Sequence, residues 1–253
     1  MPLQVNAAVK VLHFETIGST NAEALRQLAL GLEAPFWIVA DEQSEGRGRG
    51  GRRWHSPKGN LHATLGLRLG VSASSATQLS FVAALAAHDA IARHLPAEQV
   101  SALRLKWPND VLLGGAKIAG ILIESAAYPG TAGLAVAIGT GINVASAPAE
   151  TGRPTAALGL APNARAAVFE ELARAFDSWL ARWNEARHFA AIQAAWLLRA
   201  HEMGEPLNVS LNGSSIGGRF QGLDERGALR LKTDAGDIIT VTAGDIYPGA
   251  QKS

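Results

Sequence analysis

Apolar positions recur at two spacings along the 253-residue chain, and each spacing predicts a different kind of element. The clearest alternation runs over residues 61–69, where leucine or alanine stands at every second position, and it predicts a strand. Shorter runs predict further strands at residues 36–40, 103–107, 111–113, 117–124 and 133–139. The glycines Gly114 and Gly115 separate two of these strands, as in a hairpin.

Apolar residues three or four positions apart predict helices between and after these strands. The first opens near Thr20, which has capping-box spacing to Glu23, and Gly31 ends it. Further helices are predicted at residues 77–95, 166–185 and 190–199.

The pattern changes after Gly204. Short β-type runs at residues 207–211, 216–223, 228–232 and 238–242 are split by turn signals at 212–213, 224–227 and 234–237. They predict a small β-barrel over residues 204–253, of about 50 residues, which is near the lower limit for independent stability. We therefore expect it to pack against a larger domain formed by residues 1–203.

Charge and cysteine content narrow the class of protein. The 23 lysines and arginines almost balance the 22 acidic residues, which disfavours a general nucleic-acid binder. The chain has no cysteine, which excludes disulfides, thiolate metal sites and cysteine nucleophiles. No apolar run approaches the roughly 20 residues that span a bilayer, and the N-terminus lacks a signal-peptide core, so we predict a cytoplasmic protein without membrane contact.

Residues 46–53 read GRGRGGRR, and no acidic residue lies between Glu45 and Asp89. Glycines let backbone N–H groups approach an anion, and guanidinium groups pair with phosphate or carboxylate oxygens, so we predict a loop that closes over a small anionic ligand. An RNA-binding segment or a solvated basic turn are the alternatives. Trp54 follows directly, either as a stacking partner for a base or as a core anchor. The loop matches neither a P-loop nor a dinucleotide-binding fingerprint.

A second group of polar residues lies at 106–110, KWPND, followed by the strand KIAGILIE. Pro108 stops the preceding strand and leaves Asn109 and Asp110 at a strand end, where binding residues often collect. Lys106 alternates with apolar neighbours, so it could lie on a solvated face. Lys117 begins an apolar strand after a glycine turn and could face a pocket, although a strand-edge lysine is more often structural.

Three segments in this order, GRGRGGRRWHSPKGN, KWPNDVLLGGAKIAGILIE and IGTGINV, together resemble the catalytic domain of biotin protein ligases. The STN sequence at residues 19–21 and Gln43 match as well, and the resemblance runs from about Phe14 to the end. It implies an α/β (α+β) fold: a mixed-sheet catalytic domain of the class II synthetase and biotin protein ligase type with a C-terminal SH3-like β-barrel. In this family, biotin and MgATP give biotinyl-5′-AMP and pyrophosphate, and a lysine of the biotin carboxyl carrier protein then takes the biotin and releases AMP.

The resemblance also assigns substrate contacts. The positions assigned to biotin are Ser19, Thr20, Gln43, Gly46, Arg47, Arg49, Lys117 and Gly120. Those assigned to ATP or the adenylate are Arg47, Arg49, Arg52, Trp54, Asn109, Lys117 and Asn143. Ser19, Thr20 and Gln43 would bind the ureido head of biotin. Trp54 would stack on adenine, and Asn143 would contact the adenine edge.

The implied catalytic residues are Lys117, Arg49 and Asp110. Lys117 would lie between the biotin carboxylate and the α-phosphate as the main electrophilic catalyst, and Arg49 would order the loop above them. Asp110 would either help deprotonate the incoming lysine or assist the Mg²⁺ that accompanies ATP. No permanent cofactor is implied.

Other functions stay open at the level of sequence. A lipoate protein ligase or octanoyltransferase shares the general fold and the lysine acceptor, but the arginine loop with KWPND favours biotin. Two rivals belong to another class of function. The net charge of +1 disfavours an RNA-binding module, and the presence of Lys117, Arg49 and Asp110 disfavours an inactive biotin binder.

About thirteen residues precede Phe14, too few for the three-helix DNA reader that some family members carry, so we predict no operator binding. An exposed sheet edge could pair with a second copy to form a homodimer.

Overall fold

The computed structural model describes residues 9–128, 133–149, 152–211 and 214–249. A seven-stranded sheet forms the larger part, in the order β1-β2-β3-β7-β6-β5-β4. Its strands are β1 (Lys10–Ile17), β2 (Phe36–Gln43), β3 (Leu61–Leu69), β4 (Leu103–Lys106), β5 (Asp110–Leu113), β6 (Ala116–Ala127) and β7 (Leu134–Ile142). β1 pairs with β2 in parallel and all other neighbours are antiparallel, so the sheet is mixed as expected.

The helices are α1 (Thr20–Ala29), α2 (Ala73–Ala76), α3 (Leu79–Ala92), α4 (Ala97–Val100), α5 (Arg165–Trp183) and α6 (Phe189–Leu197). The predicted capping box at Thr20 is wrong. Ser19 is the N-cap, with its hydroxyl 3.5 Å from the amide of Ala22, while the Glu23 carboxylate binds Arg26 and Gln27 instead.

Sequence patterns predicted most of the sheet but missed β1. This strand lies at the edge of the sheet and none of its eight residues is buried, so its apolar residues do not alternate regularly with polar ones. β2 continues three residues beyond the predicted end at residue 40, which makes Gln43 its last residue. The loop that follows β2 therefore begins at Ser44.

Helices cover both faces of the sheet. Trp37 on β2 packs edge-on between Phe169 and Phe176 of α5, with ring centroids 5.3 and 5.4 Å apart. Phe36 and Ile38, the residues on either side of Trp37, point to the opposite face of the sheet and pack under α1. Both faces are therefore apolar, which explains why β2 reads as a continuous apolar run.

The C-terminal part is an antiparallel sheet of five strands in the order β11-β10-β9-β8-β12. These are β8 (Pro206–Leu211), β9 (Ser214–Leu223), β10 (Leu229–Lys232), β11 (Ile238–Val241) and β12 (Asp245–Pro248). Within the described ranges β11 and β12 do not pair, so the sheet stays open and the expected closed barrel is wrong in this detail. The division at residue 204 remains a prediction.

This sheet packs on the larger domain, as its size requires. The indole of Trp107 donates a 3.0 Å hydrogen bond to the carbonyl of Gly227. A Cβ at Gly227 would lie 2.7 Å from the ring of Phe81, so the turn and the aromatic ring are in close contact.

Among the helices in the described part of the chain, none combines the length and apolar character needed to cross a bilayer.

β3 carries a histidine into the interior. His62 is 2% exposed and its Nε2 lies 3.2 Å from the carbonyl of Pro57. Burial lowers the pKa of His62 to about 4, against an ordinary value of 6.5. The folded protein therefore holds this imidazole neutral at pH values where the unfolded chain would protonate it.

A lowered folded-state pKa makes stability fall as the pH drops from 6.5 towards 4, because the unfolded state binds the proton first. Between pH 7 and pH 5 we expect His62→Gln to lose about 2 kcal/mol less unfolding free energy than the parent protein. Urea unfolding at the two pH values measures this difference. Equal losses in both proteins would show that His62 does not titrate in this way.

Candidate active site

One pocket gathers almost all residues that the sequence singled out. It lies where β3, β6 and β7 meet the loops after β2 and β7. The predicted residues that line it are Ser19, Thr20, Gln43, Arg47, Arg49, Arg52, Trp54, Asn109, Asp110, Lys117, Gly120 and Asn143. Gly46 is not among the lining residues; a Cβ there would come within 2.5 Å of the Trp54 carbonyl oxygen. Four lining residues lie outside the motifs that the sequence analysis used, and sequence reasoning missed them: His62, Pro148, Arg153 and Thr155.

A hydrogen-bonded end of the pocket forms around Gln43. Its Oε1 accepts from the amide of Thr20 at 2.8 Å and from the Thr20 hydroxyl at 2.9 Å. Its Nε2 donates to the hydroxyl of Ser56 at 2.8 Å. These bonds fix which side of the amide donates and which accepts, so this end of the pocket is preorganised.

A second layer holds this end from behind. Thr64 donates to Oδ1 of Asn21 at 2.7 Å, and Nδ2 of Asn21 donates to Glu124 at 2.8 Å. A Cβ at Gly139 would lie 2.3 Å from Asn21 Oδ1, so that glycine makes room for the amide. The sequence shows each of these residues singly but gives no signal that they meet, since they come from different elements.

Trp54 lies on a floor of glycines. A Cβ at Gly141 would come within 2.5 Å of the indole, and one at Gly120 would come within 3.1 Å of it. The Nζ of Lys117 lies 5.2 Å from the ring centroid, within cation–π range. The indole therefore packs on the backbones of β6 and β7 inside the pocket rather than in the core.

Asp110 is shared by two lysines. Its carboxylate is 7% exposed, with Oδ1 2.5 Å from the Nζ of Lys117 and Oδ2 3.8 Å from the Nζ of Lys106. The Lys106 side chain is 13% exposed, so the expected solvated face is wrong. Burial lowers the pKa of Lys106, and the charge of Asp110 opposes that shift. The pairing of Asp110 with Gly120 across β5 and β6 sets this geometry.

The arginine loop has a defined, hydrogen-bonded path. The amide of Gly48 donates to the Arg52 carbonyl at 2.7 Å, and Gly50 and Gly51 adopt φ angles of 64° and 73° that favour glycine. Nη1 of Arg49 lies 3.5 Å from Oδ1 of Asn109, and burial lowers the pKa of Arg49. The loop is thus turned over the pocket, with Arg49 half-buried.

The C-terminal sheet reaches the same pocket. Arg52 donates to both carboxylate oxygens of Asp245, at 2.5 and 3.0 Å, and Arg153 donates to Asp245 at 3.2 Å. Burial alone would raise the pKa of Asp245, but the hydrogen bonds from the two arginines outweigh it and lower the pKa to about 2. No local pattern in the sequence predicts these contacts.

Asn143 is buried and occupied by protein partners. Its Nδ2 donates to the carbonyl of Ala156 at 2.9 Å, and its backbone amide donates to Ile118. Asn143 thus braces β7 against β6 and the segment at 154–156. The predicted contact with an adenine edge stays a prediction.

The described residues do not form a metal site held by the protein alone. Within the described ranges no three His, Asp or Glu side chains are grouped as ligands for a metal ion. The Asp110 carboxylate faces two ammonium groups, which already neutralise it. The chemistry of the pocket is instead cationic, since Arg47, Arg49, Arg52, Arg53, Lys117 and Arg153 line it with Asp110 as the one carboxylate among the described lining residues.

Comparison with known proteins gives the same picture. Residues 14–143 match the biotin/lipoate A/B protein ligase family, and residues 203–248 match the biotin protein ligase C-terminal domain. The biotin acetyl-CoA-carboxylase ligase of Paracoccus denitrificans is 44% identical over 91% of this chain and 97% of its own length.

Solved structures agree in fold. The biotin protein ligase of Aquifex aeolicus, in complex with biotin and ATP, has a TM-score of 0.74 at 24% identity and covers 94% of this chain and 97% of its own. The biotin protein ligase of Leishmania major in complex with biotinyl-5-AMP has a TM-score of 0.61 at 25% identity, with 92% and 99% covered. The chain therefore belongs to the biotin/lipoate A/B protein ligase family and, within it, to the biotin protein ligases.

Proposed function

We infer that this chain is an ATP-dependent biotin protein ligase that forms biotinyl-5′-AMP and transfers biotin to a lysine of a carrier protein. Its Paracoccus relative is named for the acetyl-CoA carboxylase acceptor. One observation in the site carries the inference. Lys117 is held by Asp110 in a pocket lined by arginines, which suits a reaction that builds negative charge on a carboxylate and a phosphate.

The first step joins two anions, so the pocket must offset their repulsion. A carboxylate oxygen of biotin attacks the α-phosphorus of ATP, an O–P bond forms, and the bond to pyrophosphate breaks. We propose that Lys117 lies between the carboxylate and the α-phosphate. Arg47 and Arg49 would bind the carboxylate and phosphate oxygens from the loop above.

The second step breaks the new mixed anhydride. The amine of the carrier lysine attacks the acyl carbon, an amide forms and AMP leaves with the bridging oxygen. The ammonium group of the carrier lysine must lose one proton to solvent before the amine can attack, and the nitrogen loses a second proton as the amide forms. We propose that Asp110 acts chiefly by positioning Lys117, because its carboxylate already faces two lysines.

Recognition of the biotin head is proposed for the hydrogen-bonded end of the pocket. A ureido group has one acceptor oxygen and two N–H donors, and Ser19, Thr20 and Gln43 offer groups of both kinds there. Gly120, which has no side chain, gives access to the backbone of β6. Trp54 is proposed as the flat surface on which adenine stacks, with Arg52, Asn109 and Asn143 around the nucleotide.

Mg²⁺ is proposed as part of the substrate MgATP rather than as a resident ion. A biotin carboxyl carrier protein is the proposed acceptor, and the cytoplasm is the proposed compartment. A homodimer through the outer edge of β1 is a further proposal, because in the described part of the chain that edge has no strand beside it.

The function is tested with the purified protein, biotin, MgATP and a carrier domain. We expect the carrier to gain the mass of one biotinyl group at one lysine, with AMP and pyrophosphate released. Intact-mass spectrometry followed by peptide mapping measures this. Parallel reactions with lipoate and octanoate are the controls, and modification by those acids but not by biotin would contradict the proposal.

Substitution of Lys117 tests the proposed electrophile. Lys117→Ala should lower the rate of adenylate formation about 100-fold or more, because the contact strengthens as charge develops. The dissociation constant for biotin should change far less. Single-turnover kinetics and calorimetry separate the two, and Lys232→Ala, an exposed lysine on β10, is the matched control. Weaker biotin binding at an unchanged rate would contradict this role for Lys117.

A further inference from the structure

One short segment of the C-terminal sheet touches several cations of the catalytic pocket. Residues 244–247, at the start of β12, contact Arg49, Arg52, Arg153 and Lys106 through a carbonyl, a carboxylate and an aromatic ring. We propose that Asp245 and Tyr247 form a clasp that holds the arginine loop, residues 46–53, and the segment at residues 152–156 closed over the pocket. This clasp slows escape of the reaction intermediate. Both are positioning residues, because they act through the arginines. Where the inference concerns the intermediate, it rests on the proposed function.

The carboxylate of Asp245 ties the two loops together. Arg52 of the arginine loop binds both of its oxygens, and Arg153 of the loop after β7 binds one of them. The side chains are 49%, 31% and 26% exposed for Arg52, Arg153 and Asp245, and isolated pairs at such exposure stabilise little. Here one carboxylate has two arginine partners and a bidentate geometry, which gives the pairing direction as well as energy.

Tyr247 adds a second point of attachment. Its hydroxyl accepts a 2.5 Å hydrogen bond from Nη2 of Arg153, whose guanidinium carbon lies 4.9 Å from the ring centroid. The Nζ of Lys106 lies 5.7 Å from the same centroid. The ring therefore contacts cations from both the KWPND segment and the loop after β7, and both contacts are favourable for an aromatic face.

The segment after Arg153 carries this contact to the catalytic strand. The amide of Lys117 donates to the carbonyl of Pro154 at 2.9 Å, and the amide of Ala156 donates to the carbonyl of Lys117 at 2.9 Å. Thr155 forms a parallel bridge with Lys117. Fixing Arg153 at the clasp thus also fixes the chain that runs beside Lys117.

Arg49 completes the arrangement on the other loop. Its Nη1 lies 3.4 Å from the carbonyl of Gly244, the residue before Asp245. A Cβ at Gly244 would lie 2.9 Å from the Ser210 carbonyl, and its φ of 142° lies in a region that favours glycine. β12 is therefore packed tightly on β8 at the point where it meets Arg49. A mixed anhydride is open to hydrolysis, so holding both loops closed protects it until the acceptor arrives.

The test uses the full chain and two substitutions, Asp245→Asn and Tyr247→Leu. Asp245→Asn removes the charge at nearly constant shape, and Tyr247→Leu removes the ring. Each should release biotinyl-5′-AMP about 10-fold faster, the change that corresponds to roughly 1.4 kcal/mol. Tyr247→Phe, which keeps the ring, should have a smaller effect than Tyr247→Leu. Asp237→Asn is the matched control, an exposed aspartate of the same sheet.

Limited trypsin digestion without ligands tests the clasp independently of catalysis. Cleavage within residues 46–53 should be faster in Asp245→Asn than in Asp237→Asn, while cleavage elsewhere in the chain stays the same. If the parent protein makes no biotinyl-5′-AMP, the proposed function fails, but the digestion still decides the clasp. Parent-like digestion and release in both Asp245→Asn and Tyr247→Leu would overturn it, as would faster cleavage over the whole chain, which assigns Asp245 to domain packing.

Discussion

Repulsion among positive charges is the constraint around which the site is organised. Six cationic side chains among the described lining residues converge on one pocket, and like charges at such short range raise the energy of the folded state. Carboxylates from three elements offset this: Asp110 on β5, Glu124 on β6 and Asp245 on β12. Each lies against one or two of the cations, so the positive charge is held in place before any anionic substrate arrives.

Glycines provide the second condition, since they bring backbone and aromatic rings close together. Gly120 and Gly141 leave the space that Trp54 fills, and Gly139 leaves the space for Asn21. A side chain at any of these positions would displace the indole or the amide. The antiparallel register of β6 and β7 places Gly120 opposite Gly141, which makes one continuous surface from two strands.

Local patterns predicted the elements that have a strong period, such as the strand at 61–69 and the helix α5. β1 was missed because an edge strand has few buried positions. The C-terminal sheet was expected to close into a barrel, and the sequence of a single strand does not show whether the two outer strands pair. In the site, loops and motifs gave nearly all lining residues. Arg153, Asp245 and Tyr247 could not be predicted, because they meet the pocket through contacts between residues far apart in the chain.

We propose that the pocket joins a carboxylate to the α-phosphate of ATP. Biotin labelled with ¹⁸O in both carboxylate oxygens tests this most directly, with the carrier lysine as acceptor and mass spectrometry of the nucleotide product. We expect AMP that carries one ¹⁸O atom, because the bridging oxygen leaves with the phosphate. Unlabelled AMP, or ADP together with labelled inorganic phosphate, would contradict it.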